Sequence, residues 1–237
     1  MKKNISIIIL SILFFSVSIF LNGCGQDLYL ELQDKLSEVR YNLFECGNEE
    51  INIKFTSGFR EEPYILNGKS ENKKEFGVIT VKFLNNIADK TSLPEFIITI
   101  SDMDFDGEFE LNPFDQTYVA DIETFVLDDA SIHIKIIWQD YSFEEQMKNI
   151  SKTFSCSHKD ALNVFIKEFK KNIQNFIKTG TDFEIYVKII NDPSLEIDKN
   201  YYYVCLITKT GESLSCVIDP NSSVILAKNE SKNQVIL

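Results

Sequence analysis

The segment SDMDFDGEFE holds the side chains best suited to cation chemistry. It spans residues 101–110 and carries a carboxylate at every second position, namely Asp102, Asp104, Asp106, Glu108 and Glu110. Carboxylate oxygens are the ligands that Ca²⁺ prefers in proteins. A hairpin with its loop at 105–107 would set Asp104 opposite Glu108 and Asp102 opposite Glu110, and a bound cation would relieve their repulsion. Two interpretations stay open: a calcium site, or an acidic hairpin screened by water and salt.

The spacing of the same segment excludes an EF-hand. Its first half, from Asp102 to Gly107, matches the loop in which alternate carboxylates and a glycine turn wrap Ca²⁺. The twelfth position of that loop needs a bidentate Glu, but here it is Pro113, and the flanking segments have the alternation of strands rather than helices. Apart from this calcium ion, we expect no cofactor.

Nucleophilic catalysis would need an activated thiol, and Cys156 is the only cysteine close to a histidine, His158. A Cys–His pair can generate a reactive thiolate. The start of a predicted helix separates these two side chains, however, and the sequence marks no third group to orient the histidine. The chain also lacks G-x-S-x-G, H-E-x-x-H and Walker A motifs. We therefore expect no catalytic residues and no enzymatic activity.

Two further cysteines, Cys205 and Cys216, flank a predicted hairpin with its turn around Gly211. A two-residue turn would place them directly opposite each other, at a separation that a disulfide can bridge. A three-residue turn would shift the pairing by one residue and put the two thiols on opposite faces. Both registers pair apolar with apolar residues, so a disulfide and two buried free thiols both remain open.

Charge composition excludes one class of partner. The full chain carries 24 Lys and Arg against 36 Asp and Glu, a net charge of −12. Residues 1–23 contain Lys2, Lys3 and no acid, so the remainder has 22 basic residues against 36 acidic ones, a net charge of −14. Such a surface repels phosphate backbones, so we expect no binding to nucleic acid. It also repels anionic bilayers, so a lipid anchor rather than basic patches would have to hold the chain there.

The N-terminus carries the marks of an export signal. Lys2 and Lys3 precede an apolar run over residues 5–21, as in a secretory signal peptide. The run ends in Leu21-Asn22-Gly23-Cys24, which resembles the bacterial lipobox through Leu21, Gly23 and Cys24. This resemblance implies cleavage after residue 23 and a diacylglycerol on Cys24, two acyl chains being enough for stable anchoring. The alternative is an uncleaved anchor helix; both place the body outside the cytoplasm.

Periodicity predicts an α+β fold with four segments. Residues 1–23 form the signal peptide, and 24–47 a helix, because Leu28, Leu32, Leu36, Val39 and Leu43 recur at spacings of three and four. Residues 48–150 alternate with a period of two in short segments, which predicts an antiparallel β-sandwich or strongly curved sheet. Residues 151–237 read as a helix capped by Ser157, followed by three or four antiparallel strands.

Residues 155–228 resemble the PepSY domain, a small module of exported bacterial proteins. The resemblance rests on the helix, on a hairpin with Gly211 at its turn, and on an ending of the form V-x-D-x-x-T-G-x-V. Val217, Asp219, Ser222 and Val224 or Ile225 fill that ending, with Ser223 at the position of the second glycine. The resemblance implies a regulatory or inhibitory module rather than a catalyst, with peptidases as one class of target.

Together these features predict a non-catalytic lipoprotein, anchored on the extracytoplasmic face of the cell membrane through Cys24. We expect a binding or regulatory module that acts on an unidentified protein partner. The abundance of Ile, Lys, Asn and Phe indicates an AT-rich genome, typical of low-GC Gram-positive bacteria. Two alternatives are a cell-envelope enzyme acting on wall peptide or glycan, and a structural subunit of a membrane complex that docks through the helix at 26–45.

Overall fold

A computed structural model describes residues 28–84, 92–124, 130–191 and 199–231 of the chain. The fold is mostly antiparallel β-structure, with one nearly closed, strongly curved sheet and three helices. The predicted β-rich, curved architecture is confirmed at this level. The predicted signal peptide and Cys24 lie outside the described residues.

Thirteen strands and two long helices are present in the described residues. The strands are β1 (Leu36–Gly47), β2 (Ile51–Glu61), β3 (Lys73–Phe83), β4 (Glu95–Ile100), β5 (Met103–Glu108), β6 (Glu110–Asn112), β7 (Thr117–Ile122), β8 (Ile132–Trp138), β9 (Tyr141–Asn149), β10 (Phe183–Asn191), β11 (Asn200–Thr208), β12 (Ser213–Ile218) and β13 (Ile225–Ser231). The helices are α1 (His158–Glu168) and α2 (Lys170–Thr179). Residues 28–31 form a short helical turn, and two 3-10 turns cover Gln33–Lys35 and Ser151–Thr153.

Strand β1 is the centre of the sheet, because it pairs with three other strands. The main order is β13-β12-β11-β10-β1-β2-β3-β7-β6, and only the β1–β10 pair among those described is parallel. A second run, β5-β4-β8-β9, returns to β1 through a short β9–β1 pairing. Because β5 continues into β6 past the buried Phe109, the two runs bend toward each other and nearly close the sheet.

Two apolar cores hold this arrangement together. The first lies inside the curved sheet and is built from β1–β4 and β7–β9, with Phe44, Phe55, Ile98, Ile134 and Trp138 among its members. The second lies between the helices and β10–β12, and includes Leu32, Phe165, Ile173, Ile185 and Leu206. Burial of this apolar surface is the main stabilising contribution to both parts of the fold.

The predicted N-terminal helix over 24–47 is wrong for most of its length, because residues 36–47 form strand β1. The spacing of three between Leu36 and Val39 is the result of a register irregularity. Leu36 pairs with Ile185 and Val39 with Val187, so β1 advances three residues while β10 advances two. An extra residue in a strand therefore imitates helical spacing and keeps both side chains in the same core.

A second irregularity, between Arg40 and Asn42, bends β1 against β2. Gly58 lies opposite Arg40, and the backbones approach so closely that a Cβ on Gly58 would be 1.8 Å from the carbonyl oxygen of Val39. Only glycine fits such a close approach. This glycine therefore sets the bend at the strand that both cores share.

Helix α1 begins at the predicted cap and buries one face. Ser157 is the N-cap, and the buried residues Ala161, Leu162, Phe165 and Ile166 face the second core. The helical stretch breaks once, at the buried Phe169, before α2 runs to Thr179. None of the helices within 28–231 that the structure describes combines the length and the hydrophobicity needed to cross a bilayer.

Candidate functional site

The start of α1 borders a cleft of about 390 Å³, which we call the thiol cleft. Its walls include Tyr41 of β1, Tyr202 of β11, and Cys156, His158 and Asp160 at the helix start. The 3-10 turn at Ser151–Thr153 leads the chain from β9 to this point. The Cys156 N–H donates to the carbonyl of Pro220 at 2.8 Å, which ties the helix start to the loop after β12.

A capping box fixes the conformation of Ser157 and Asp160. The Asp160 carboxylate accepts hydrogen bonds from the Ser157 hydroxyl at 2.6 Å and from the Ser157 N–H at 2.9 Å. In return, the Asp160 N–H donates to the Ser157 hydroxyl at 3.2 Å. These bonds, with the side-chain one contributing most, hold the pKa of Asp160 below its usual range. The carboxylate is thus engaged in starting the helix.

The Cys156 thiol is not set up as a nucleophile. Its side chain is 2% exposed, and the Sγ–H donates to the Ser157 carbonyl at 3.4 Å. Burial, the largest influence, raises the pKa of the thiol, and the nearby carboxylates of Asp160 and Asp219 raise it further. A catalytic thiol needs the opposite shift, because the thiolate is the reactive form. The environment of Cys156 therefore favours a protonated, structural side chain.

Aromatic and polar groups complete the thiol cleft. The His158 ring lies against Tyr41, with centroids 5.5 Å apart. Burial raises the pKa of the Tyr202 hydroxyl, which keeps it a neutral hydrogen-bonding group. Hydroxyl, imidazole and carboxylate groups therefore line the cleft. The structure brings Cys156, His158 and Asp160 to one cleft, which the sequence alone did not predict.

The predicted register of the acidic hairpin is wrong. The turn lies at Ser101 and Asp102, both in the left-handed region with φ of 47° and 71°, and Ile100 pairs with Met103 across it. This is a two-residue hairpin between β4 and β5. Residues 105–107, the predicted loop, lie inside strand β5.

The carboxylates of that segment consequently do not face one another across a loop: Asp104, Asp106 and Glu108 follow one another along β5, Asp102 lies in the turn before it, and Glu110 lies in β6. Asp104 lies opposite Thr99, whose hydroxyl donates to it at 2.6 Å, and Glu108 lies opposite Glu95. Over the described parts of the chain, no group of three or more His, Cys, Asp or Glu side chains is arranged to hold a metal ion. The pairing that motivated the calcium site is therefore wrong, and calcium binding by Asp102, Asp104, Asp106, Glu108 and Glu110 stays a prediction from sequence.

The cysteine hairpin adopts the register with a three-residue turn. Cys205 pairs with Ser215, and Cys216 pairs with Val204, so the two thiols are on opposite faces. Gly211 has a φ of 85° in the turn, where glycine is favoured. Both thiols are free, and a Cys205–Cys216 disulfide is excluded in this register.

A buried carboxylate network escaped prediction. Glu184 of β10 is fully buried and accepts hydrogen bonds from the Ser37 hydroxyl at 2.5 Å and the Asn67 N–H at 3.0 Å. The Ser37 hydroxyl also lies 3.4 Å from the carboxylate of the buried Glu61. These contacts fasten the loop between β2 and β3 over β10. No local sequence pattern predicts that Glu184 is buried, because Ser37 and Asn67, which donate hydrogen bonds to it, are more than a hundred positions away.

The loop between β12 and β13 also has a defined geometry. The Asp219 carboxylate accepts from the N–H of Asn221 at 2.7 Å, and its carbonyl accepts from the N–H of Ser223 at 2.9 Å. Ser223 has a φ of 59°, in the left-handed region that glycine favours. The backbone of this loop therefore turns at Ser223 in a conformation that glycine favours.

Comparison with known proteins adds no assignment to this geometry. The chain matches no protein-family model, no curated protein and no solved structure.

Proposed function

We propose that this chain is an extracytoplasmic lipoprotein, held at the cell membrane by a diacylglycerol on Cys24. Its folded body is a non-catalytic module that binds or regulates a protein partner. One observation carries the proposal: Leu28, only four residues after Cys24, is 6% exposed and already part of the second core. Four residues span at most about 14 Å. A body that begins so close to the lipid-bearing cysteine fits a protein working at the membrane surface.

The geometry of the C-terminal part supports a regulatory module of the PepSY type. Gly211 occupies the turn of the β11–β12 hairpin in a glycine-favoured conformation, and Ser223 has the backbone conformation that a glycine would adopt. Asp219 organises that loop through its hydrogen bonds. These features match the residues on which the resemblance rests. A peptidase or another envelope protein would be the regulated partner.

The lipid anchor is tested by inhibiting lipoprotein signal peptidase with globomycin. We expect the full chain to accumulate in treated cells, because cleavage after residue 23 requires that enzyme. Cys24→Ser is the matched variant and should show the same unprocessed form without the drug. A wild-type chain whose size is unaffected by globomycin would contradict the proposal and support an uncleaved anchor helix.

The second candidate is a cell-envelope enzyme, and one observation favours it: Cys156, His158 and Asp160 line the same cleft. The raised pKa of Cys156 opposes it. Iodoacetamide labelling of Cys156 in the folded protein, followed by peptide mass spectrometry across pH 5–10, separates the two. A structural thiol reacts slowly and faster only at alkaline pH, whereas a thiolate nucleophile reaches its full rate near neutral pH.

The alternative hypothesis, a structural subunit that docks through a helix at 26–45, is not supported. Residues 36–47 of that segment form β1, which is paired on both sides by β2 and β10. A strand at the centre of the sheet has no free edge for a partner. Partner binding must therefore use another surface.

A further inference from the structure

The charge of this acidic protein is unevenly distributed. Residues 152–179, which contain both long helices, carry six lysines against two acids, a net charge of +4. The rest of the chain after residue 23 holds 16 basic residues against 34 acidic ones, a net charge of −18. A uniformly acidic surface, as the composition alone suggests, would repel an anionic bilayer. The helices instead present a positive face.

The positive charge surrounds a groove of about 700 Å³ beside the first described residues of the chain. Lys159, Lys167 and Lys170 line it from the helices, and Leu28 and Tyr29 line it from the N-terminal segment. Lysine side chains at such positions can place their ammonium groups over apolar surface while remaining hydrated. We call this surface the basic face.

Most of the acidic side chains on or near the basic face are already hydrogen-bonded to other groups of the protein. The Asp160 carboxylate is part of the capping box with Ser157. The Glu168 carboxylate accepts a hydrogen bond from the ammonium of Lys228 on β13. Glu31 is exposed on the N-terminal segment and is the one acid of residues 28–31. Glu230 of β13 accepts a hydrogen bond from the side chain of Asn172 on α2, and Asp219 is hydrogen-bonded to Ser223 through its carbonyl. The six lysines of residues 152–179 and Lys228 outnumber these five acids, so the local balance remains positive.

Exposed apolar side chains accompany these lysines. Leu30 is 67% exposed on the N-terminal segment, and Val224 is 53% exposed beside Ser223, which also lines the groove. Leu226 is exposed as well, in the same strand as Lys228, whose ammonium donates to Glu168 of α1. Lysines mixed with exposed apolar residues are the composition of a surface that lies on a membrane.

We infer that the basic face lies on the anionic phospholipid headgroups of the bilayer that holds the protein. The inference rests on the proposed lipid anchor, because Cys24 is within about 14 Å of Leu28 along the chain. At this distance the groove is within one or two Debye lengths of the bilayer surface, where lysines are still attracted to anionic lipid. The strongly acidic remainder is repelled by the same lipids, so charge orients the body as well as holding it.

The test is lysine reactivity of the full chain in nanodiscs, made with phosphatidylcholine alone or with added phosphatidylglycerol. Acetylation with an N-hydroxysuccinimide ester is followed at each lysine by peptide mass spectrometry. We expect Lys159, Lys167 and Lys170 to react about fivefold more slowly in the anionic discs, since each lysine gains about that factor from the surface. The exposed Lys82 and Lys148 of the curved sheet should react equally in both discs.

Two charge-matched variants sharpen the result. Lys159→Glu/Lys167→Glu/Lys170→Glu should abolish the lipid-dependent protection of the neighbouring Lys171 and Lys178. Lys69→Glu/Lys82→Glu/Lys148→Glu changes the net charge equally, at exposed positions away from the helices, and should leave that protection intact.

Equal rates in the two discs for the wild-type basic face would overturn the inference, and so would equal slowing of every lysine. If the basic face binds an acidic protein instead of lipid, its lysines should be acetylated at equal rates in the two kinds of disc. The intact mass of the same sample reports the lipid on Cys24 separately. A chain without lipid refutes the proposed anchor. Its apolar segment 5–21 would still hold the chain in the disc. The lysine rates would then still test whether the basic face lies on the bilayer.

Discussion

Replacing Glu184 is the most demanding test of how the body is assembled. We predict that Glu184→Ala lowers the free energy of unfolding by about 3 kcal/mol. The buried carboxylate accepts two hydrogen bonds, from the Ser37 hydroxyl at 2.5 Å and from the Asn67 N–H at 3.0 Å. Each hydrogen bond to a charged acceptor contributes about 1.5–3 kcal/mol net. The contacts at 3.4 Å from Gly68 and Tyr186 are at the edge of hydrogen-bonding distance, so we assign them little.

Urea unfolding followed by the fluorescence of Trp138, the one tryptophan, measures this loss. Ser37→Ala should cost about 1.5 kcal/mol, because it removes one of these two hydrogen bonds. The double variant should then be more stable than the sum of the single losses predicts, since both changes remove the same bond. Amide exchange at Asn67 and Gly68 should accelerate in Glu184→Ala, because the loop over β10 loses its attachment.

Asp121→Ala is the matched control. Its carboxylate also accepts a hydrogen bond, from Arg60 at 2.9 Å, but the pair is exposed and should contribute no more than about 0.5 kcal/mol. If Glu184→Ala costs no more than this control, and exchange at Asn67 does not change, then the buried network does not fasten the loop and the reasoning is refuted.

Three further predictions concern the helix start, the thiols and the bend in β1. Asp160→Ala should cost about 1 kcal/mol at pH 7, because its carboxylate completes the capping box. The lowered pKa of Asp160 makes this stabilisation present above about pH 4 and lost as the pH falls and the folded carboxyl protonates. A pH-independent loss in urea titrations would contradict this prediction. Burial raises the pKa of the Cys216 thiol from 9.0 to about 12, so at pH 8 this thiol should be alkylated about a thousandfold more slowly than a free cysteine. Non-reducing mass spectrometry should find no disulfide between Cys205 and Cys216. Gly58→Ala should destabilise by about 3 kcal/mol in thermal or urea unfolding, and a loss below about 1 kcal/mol would show that the β1–β2 approach is looser than described.

Period-two alternation was a reliable guide where strands are regular. INIKF and SIHIKIIW alternate in sequence and form parts of β2 and β8, with Ile53, Phe55, Ile132, Ile134 and Ile136 all in the first core. The same rule failed in β1, since an extra residue between Leu36 and Val39 replaced the spacing of two by three. A local pattern cannot distinguish a bulged strand from a helix without knowing the partner strand.

Glycine misled the prediction of the acidic hairpin for a different reason. The predicted loop at 105–107 relies on the preference of glycine for left-handed backbone, but Gly107 lies inside strand β5, where a Cβ would be 3.2 Å from the ring of Phe96. The turn uses Ser101 and Asp102 instead. Glycine there serves packing across strands, which the sequence alone does not reveal. The Cys156 cleft and the Glu184 network likewise depend on contacts between distant segments.

The proposed function requires that this body works at a membrane surface to which Cys24 attaches it. The most direct measurement is the intact mass of the chain isolated from the membranes of its host. We expect a polypeptide that begins at Cys24 and carries a diacylglycerol. A chain that retains residues 1–23 and has no lipid on Cys24 would contradict it.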